Sequence, residues 1–322
     1  MHLLTDSTHV RARYAEILDH CEGATVYHTP QWLRVWEDLG ADLAFVEVDA
    51  ETMVPFVCKG SGALRRAYSL PFDTYGGPVT ARPGGREPVS FEGIIERIAS
   101  PSVRVADFAA VVASSNGAVR PMASHIVDLS RGYAAASRNY TDANRRNIRQ
   151  SLDHGVRVAA VSQRAAVRDF YRLHLHTVRR HSARPLPLAF FESVFARLVP
   201  AGAATFQLAF HQDRIVAGNL VLRHRDRSYD WMWVYDDRFA SLRATNLMLD
   251  HAIRDEAARG SRELNLGASP NDHLGSVRFK QSFGARPFAY AVYTHTAPVV
   301  AAARRVRLGM GRVGARIRAF AT

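Results

Sequence analysis

From residue 156 onward, apolar side chains recur alternately at the strand period and the helix period, and the resulting order of elements narrows the fold most. Residues 156–161 read as a strand. Residues 165–181 read as a helix with Val167, Phe170, Tyr171, His174 and Val178 on one stripe. Arg184-Pro185-Leu186-Pro187 breaks the chain, and helix resumes over 188–199. Residues 205–210, 215–223 and 228–235 are three consecutive strands with turns at Asp213-Arg214 and Arg225-Asp226-Arg227. A helix over 245–259 turns Met248, Leu249, Ala252 and Ile253 inward and closes at Gly260. A strand over 263–266, a helix through Phe279 and a strand over 288–293 complete the series. This order predicts an α+β layer with one mixed sheet.

The earlier residues are also mixed. A helix is expected over 10–20, and another from Pro30 with Thr29 as its N-cap. Residues 44–48 and 53–58 form a hairpin pattern, 72–78 and 82–85 are Gly- and Pro-rich loops, 90–99 is a helix and 103–112 a strand. A boundary is expected between 130 and 141. It is followed by a basic helix over 142–154 that carries Arg145, Arg146 and Arg149 and ends at Gly155. At 322 residues the chain has the length of two domains, expected over 1–136 and 137–296.

Charge is distributed unequally. Residues 1–137 carry 12 basic and 16 acidic residues, whereas 138–322 carry 30 and 14. Such asymmetry suits a polyanionic partner, such as RNA, a phosphorylated substrate or an anionic membrane surface, or else a merely basic soluble domain. No run of 18 apolar residues occurs, the N-terminus lacks a basic and then apolar leader pattern, and Cys21 and Cys58 are too few for a disulfide framework or a structural zinc site. Cytoplasmic residence is the expectation. No metal is expected.

Of the 42 basic residues only Lys59 and Lys280 are lysine. Lysine is a compact charge that can lose its proton on burial, unlike the planar guanidinium of arginine. Lys280 lies in Arg278-Phe279-Lys280-Gln281-Ser282-Phe283-Gly284-Ala285. It is either a surface residue, as Lys59 is expected to be, or a chemical one.

The element order is also that of the acyltransferase fold typified by the GNAT N-acetyltransferases, in which the sheet splays after its fourth strand to admit an acyl donor. Acyl-CoA members hold the pyrophosphate on a Gly-bearing turn at a helix N-terminus. Here that turn is Asp236-Asp237-Arg238-Phe239-Ala240-Ser241-Leu242-Arg243-Ala244, without Gly, which argues against acyl-CoA because left-handed backbone then becomes costly. Arg238 and Arg243 remain able to meet a phosphate.

Several segments together resemble the FemABX family, tandem GNAT-like transferases that use aminoacyl-tRNA to build peptidoglycan bridges. They are Gln31-Trp32-Leu33-Arg34-Val35, Tyr75-Gly76-Gly77-Pro78-Val79, Arg145 to Val158, Arg180-His181-Ser182-Ala183-Arg184-Pro185, and Gly267 through Arg278-Phe279-Lys280 to Gly284-Ala285. The resemblance implies that Lys280 and Phe279 are catalytic-region residues and that Arg34 and Arg184 hold an acceptor diphosphate. Trp32, Tyr75, Trp233 and Ser269 join them as candidate substrate contacts. Arg238, Arg243, Arg145 and Arg149 are candidate tRNA contacts. The chain departs from the family pattern at Thr80-Ala81-Arg82, where an Asp is common, and at Leu188, where some members have Tyr. The acceptor is therefore left open between a peptidoglycan precursor and a small natural product.

Other features have structural alternatives. His174, His176 and His181 offer no convergent triad of metal ligands. Asp230 and Asp236 are candidate general bases, or solvated strand-end residues. Trp231, Trp233 and Tyr235 are expected on one face of their strand. The tail 297–322, with Val306, Met310, Val313, Ile317 and Phe320 between six arginines, is expected to pack back on the first domain, or else to meet RNA or a membrane surface.

The expected activity is therefore amide formation between an amino acid from aminoacyl-tRNA, the co-substrate, and an amine acceptor, with or without a phosphate. No cofactor is expected. The alternatives are acyl-CoA-dependent N-acyl transfer and a non-catalytic module for RNA or anionic surfaces. The site is cytoplasmic, or peripheral at the inner membrane face.

Overall fold

The computed structural model describes residues 1–73, 75–82, 88–115, 118–161, 163–180, 184–269, 274–298 and 300. In chain order these form β1 (His2–Thr5), α1 (Thr8–His20), α2 (Pro30–Glu37), β2 (Asp42–Asp49), β3 (Thr52–Lys59), β4 (Arg66–Ser69), β5 (Val79–Thr80), β6 (Val89–Ser90), α3 (Phe91–Ile98), β7 (Ser102–Asp107), β8 (Val112–Ala113) and β9 (Ala118–Asp128). There follow α4 (Tyr133–Ser137), α5 (Asp142–Asp153), β10 (Arg157–Ala160), α6 (Ala165–Arg180), α7 (Leu188–Leu198), β11 (Ala204–His211), β12 (Arg214–His224), β13 (Arg227–Tyr235), α8 (Ala244–Ala258), β14 (Glu263–Ala268), α9 (Leu274–Gln281) and β15 (Arg286–Thr296).

Two compact units result. One comprises Met1–Gly23, Gly40–Pro121 and the described residues from Ala291 on; the other comprises Ala24–Leu39 and Met122–Tyr290. Helix α2 and most of β9 thus lie in the second unit, although both precede residue 137.

In the first unit the strand order is β1-β2-β3-β4-β7-β15, with β5 on β3. Its core joins Val46, Val54 and Phe56 to Phe91, Ile94 and Ile98 of α3, whose N-cap Ser90 accepts from Gly93 N–H. The strand expected over 103–112 ends at Asp107. The buried carboxylate there accepts from the N–H groups of Ala109, Val111 and Val112 at 3.2, 2.7 and 2.6 Å, and so turns the chain. Strands β1, β4 and β9 were not legible: the first two have four residues each, and β9 contains Pro121, which ordinarily marks a non-strand. Gly76 lies against the Ser69–Leu70 backbone so closely that a Cβ would come within 2.4 Å of Ser69. Lys59 is exposed at the end of β3.

In the second unit the order is β9-β14-β13-β12-β11-β10; β13 and β14 are parallel, and the other neighbours are antiparallel. Gly218 of β12 lets α6 approach, since a Cβ there would stand 3.0 Å from Phe170 and from Leu208 and 3.1 Å from Val234. Ala217, directed to the opposite face, packs with Leu247 and Met248 of α8. Leu249, Ala252 and Ile253 bury against Leu264, Leu266 and Phe283. Pro30 opens α2 after the N-cap Thr29, as expected. The β11–β12 turn lies at Gln212-Asp213, both left-handed, while Arg214 is already paired with His211. Each unit is a mixed sheet flanked by helices. The tail after 300 and residues 83–85 of the expected loop lie outside the described residues.

Candidate functional site

The second unit contains a fork. Strands β13 and β14 pair only over Arg227–Tyr229 and Glu263–Asn265, although β13 continues to Tyr235 and β14 to Ala268. They part where the polar residues of the site begin. A β-bulge opposite Leu220/Val221 adds a residue to β13 at the same level. Trp231 is thereby separated from Trp233, contrary to the expected common face. Trp231 meets Trp32 and Phe190 at ring-centroid distances of 5.6 and 5.5 Å. Trp233 instead meets Phe279 edge to face at 5.3 Å.

Asp230 is the first residue of β13 beyond its pairing with β14. It is 2 % exposed, so strand-end solvation does not describe it. One carboxyl oxygen accepts from Asn219 Nδ2 at 3.1 Å. The other, Oδ2, has no hydrogen-bond partner, and neither does Asn219 Oδ1. Burial pushes the Asp230 carboxyl well above the usual carboxylate range. The Asn219 hydrogen bond opposes this, nearby Glu256 adds to it, and the charge of Lys280 and a weaker hydrogen bond from the Trp233 side chain again favour the charged form.

Lys280 comes from α9. Its Nζ donates to Gly267 O at 2.8 Å, Ala268 O at 3.1 Å and Ser269 Oγ at 2.9 Å. All three ammonium protons are thus directed at the end of β14. Burial pushes its pKa down to about 8, against the opposing charge of Asp230. Half-buried Phe279 precedes it, and Ser269, 6 % exposed, also bonds Ser276 Oγ at 2.9 Å. Behind them Asn265 Oδ1 accepts from Ser124 Oγ at 2.5 Å and Gly267 N at 2.8 Å, and buried His125 is held below the usual imidazole pKa by desolvation and then by Lys280. Asn219, Ser124, His125 and Asn265 were missed. Their one signal was a polar residue inside an apolar strand, as in Ala217-Gly218-Asn219-Leu220-Val221.

The remaining candidates are scattered. Trp32 is fully buried in an aromatic cluster with Tyr27, Trp36 and Phe190, so as placed it presents no surface to a substrate. Tyr75 belongs to the first unit, buried and 4.3 Å from Phe108. Arg34 and Arg184 are exposed. Asp236 caps the turn 237–242 and is bonded by Arg238. Arg243 is exposed and left-handed, with φ 53° at the start of α8. The conformation that sequence reasoning reserved for Gly is therefore adopted by Arg. Arg145 and Arg149 are exposed on α5, whose Gln150 donates to Ser241 O at 3.4 Å.

His174 is buried and accepts from Leu186 N–H at 3.0 Å, and His181 is outside the described residues. His176 has its ligand atom within 4.8 Å of those of Asp236 and Asp237. That group is crowded by Arg238 on Asp236 and by Arg180 at 3.9 Å from Asp237.

Residues 135–281 match the family model of the acetyltransferase (GNAT) domain. No curated protein matches the chain. Among solved structures, FemX is 12% identical with a TM-score of 0.64, covering 90% of this chain and 97% of that one. The C-terminal domain of a putative lysylphosphatidylglycerol synthetase from Agrobacterium fabrum is 13% identical with a TM-score of 0.52, covering 91% and 96%. A tandem GNAT protein from the clavulanic acid biosynthesis pathway is 11% identical with a TM-score of 0.51, covering 91% and 97%. The chain therefore has the FemX-like tandem GNAT fold, an acyltransferase fold. Among the described residues no helix is long and apolar enough to cross a membrane.

Proposed function

We propose that the second unit transfers an aminoacyl group from the ester of an aminoacyl-tRNA to an amine. The observation that carries this reading is the fork of β13 and β14 with the half-buried Lys280 ammonium bound at its β14 edge. An acyl group entering the fork meets a fixed, partly desolvated positive charge. In the reaction the neutral amine attacks the ester carbonyl, the C–N bond forms, the C–O bond to the tRNA ribose breaks, and the ribose oxygen leaves with a proton. Charge develops on the carbonyl oxygen in between, and a preorganised cation lowers that barrier by roughly a few kcal/mol. Because the three Lys280 N–H groups already serve β14, Lys280 acts as a nearby charge; direct donation requires exchanging one bond, of which that to Ser269 Oγ is the most replaceable. Exposed Arg145, Arg149, Arg238 and Arg243 suit the phosphates of a tRNA acceptor arm. Full-length likeness to FemX supports a tRNA-borne donor, and the acceptor is an amine on a peptidoglycan precursor or a small natural product.

A second reading, acyl transfer from acyl-CoA, is favoured by one observation: Arg243 adopts the left-handed conformation at the start of α8 without a glycine. Radiolabelled aminoacyl-tRNAs incubated with a panel of amines separate the two. Transfer abolished by RNase supports the first, and transfer from acyl-CoA in the absence of RNA replaces it with the second.

A further inference from the structure

The base of the fork holds two buried hydrogen-bond acceptors with nothing to accept. Asp230 Oδ2 and Asn219 Oδ1 lack partners, and the two side chains are joined by the bond from Asn219 Nδ2 to Asp230 Oδ1. Unmet buried acceptors are costly, and such groups in folded chains ordinarily have a reason. The charge of Lys280 acts on Asp230, yet its three N–H groups go to Gly267, Ala268 and Ser269, so it does not bond these oxygens. The Trp233 side chain adds a weak hydrogen bond to the Asp230 carboxyl, yet Oδ2 has no donor at full hydrogen-bond distance. A carboxyl oxygen and an amide oxygen side by side suit a small cationic donor with several N–H groups.

Resting on the aminoacyl reading above, we propose that Asp230 and Asn219 form the subsite for the α-ammonium group of the transferred amino acid. An aminoacyl ester differs from a simple acyl thioester in carrying an ammonium one carbon from its carbonyl. Asp230 is the first residue of β13 after it leaves β14, so it stands at the start of the fork that the acyl group is proposed to enter. An ammonium there donates to Asp230 Oδ2 and Asn219 Oδ1 together, a charge-assisted pair in a buried setting. The subsite thus selects α-amino acyl donors over unsubstituted or N-blocked ones, independently of the side chain.

The test needs neither acceptor nor turnover. Aminoacyl amides of 3′-amino-3′-deoxyadenosine, prepared across the proteinogenic amino acids, mimic the tRNA terminus and cannot be hydrolysed as esters. Each is compared by calorimetry with its N-acetyl form. The wild-type chain is expected to bind the free-amine form of its cognate at least about tenfold more tightly. Asp230→Asn, checked for folding by circular dichroism, brings the two forms to parity. Equal binding of both forms by the wild-type chain, or a preference that survives in a folded D230N, overturns the subsite. If aminoacyl-tRNA transfer is nevertheless observed, the aminoacyl reading stands without it. If no probe binds and no aminoacyl-tRNA transfers, both fall. The wild-type comparison holds even if D230N fails to fold.

Discussion

Lys280 reaches back from α9 to bond the carbonyl of Gly267 at 2.8 Å, and this contact helps tie the helix of the candidate site to the end of β14 beyond its pairing with β13. With Ala268 O and Ser269 Oγ it makes a three-acceptor cup fitted to an ammonium. A planar guanidinium does not fit such a cup. Lys280→Met is therefore expected to lower turnover by about 10² or more, and Lys280→Arg to fail to restore it. Steady-state transfer kinetics on folded variants decide this; full activity in either variant removes the charge from the mechanism.

The pH dependence follows from the same residue. Burial lowers the folded-state pKa of Lys280 to about 8, from an ordinary value of 10.5. The ammonium is present below about 8 and is lost above it, so a rate that depends on the charge falls as pH rises through that point. Stability changes in the opposite sense. Between about 8 and 10.5 the unfolded chain holds a proton that the folded chain has released, so stability rises with pH across that window and the burial penalty is complete below it. A pH–rate profile with an acceptor amine already neutral at pH 7 is expected to lose its descending limb in Lys280→Met.

Arg223 and Glu256 form a buried ion pair in the second unit. Arg223 Nε donates to both Glu256 oxygens, at 2.8 and 2.7 Å, and Ser228 Oγ donates to the same carboxylate at 2.6 Å. Glu256 is fully buried. Arg223→Leu leaves an uncompensated charge and is expected to cost about 3–5 kcal/mol. Urea unfolding of the variant measures it, and a loss under 1 kcal/mol would contradict the burial of the pair.

Gly218 sets the approach of α6 to β12. A valine there would push Phe170 and Leu208 from positions already in contact with an added Cβ at 3.0 Å. The expected loss is about 1–3 kcal/mol, read as a lower urea midpoint with an unchanged slope. Ala217→Val, directed toward α8, is the comparison that separates the two faces.

Residues from 156 on carried their element order openly, because helix and strand periods are local properties of the apolar pattern. Phe170 and His174 on α6, Met248 through Ile253 on α8, and the consecutive strands β11, β12 and β13 all follow from it. Lys280 was also visible, as one of two lysines in an arginine-rich chain and as part of a recognisable motif. What the pattern could not contain was contact between distant segments. The bulge that parts Trp231 from Trp233 is a matter of registry between β12 and β13. The burial of Trp32 depends on Phe190 and Trp231, far away in the chain.

Composition and period, then, determined the layer order and singled out Lys280. Tertiary structure alone decided that its three protons are held by Gly267, Ala268 and Ser269, and that Asp230 stands buried beside Asn219 instead of in water. The physical reason is that desolvation and hydrogen-bond satisfaction depend on neighbours brought together in space, whereas periodicity records only which side of its own element a residue faces.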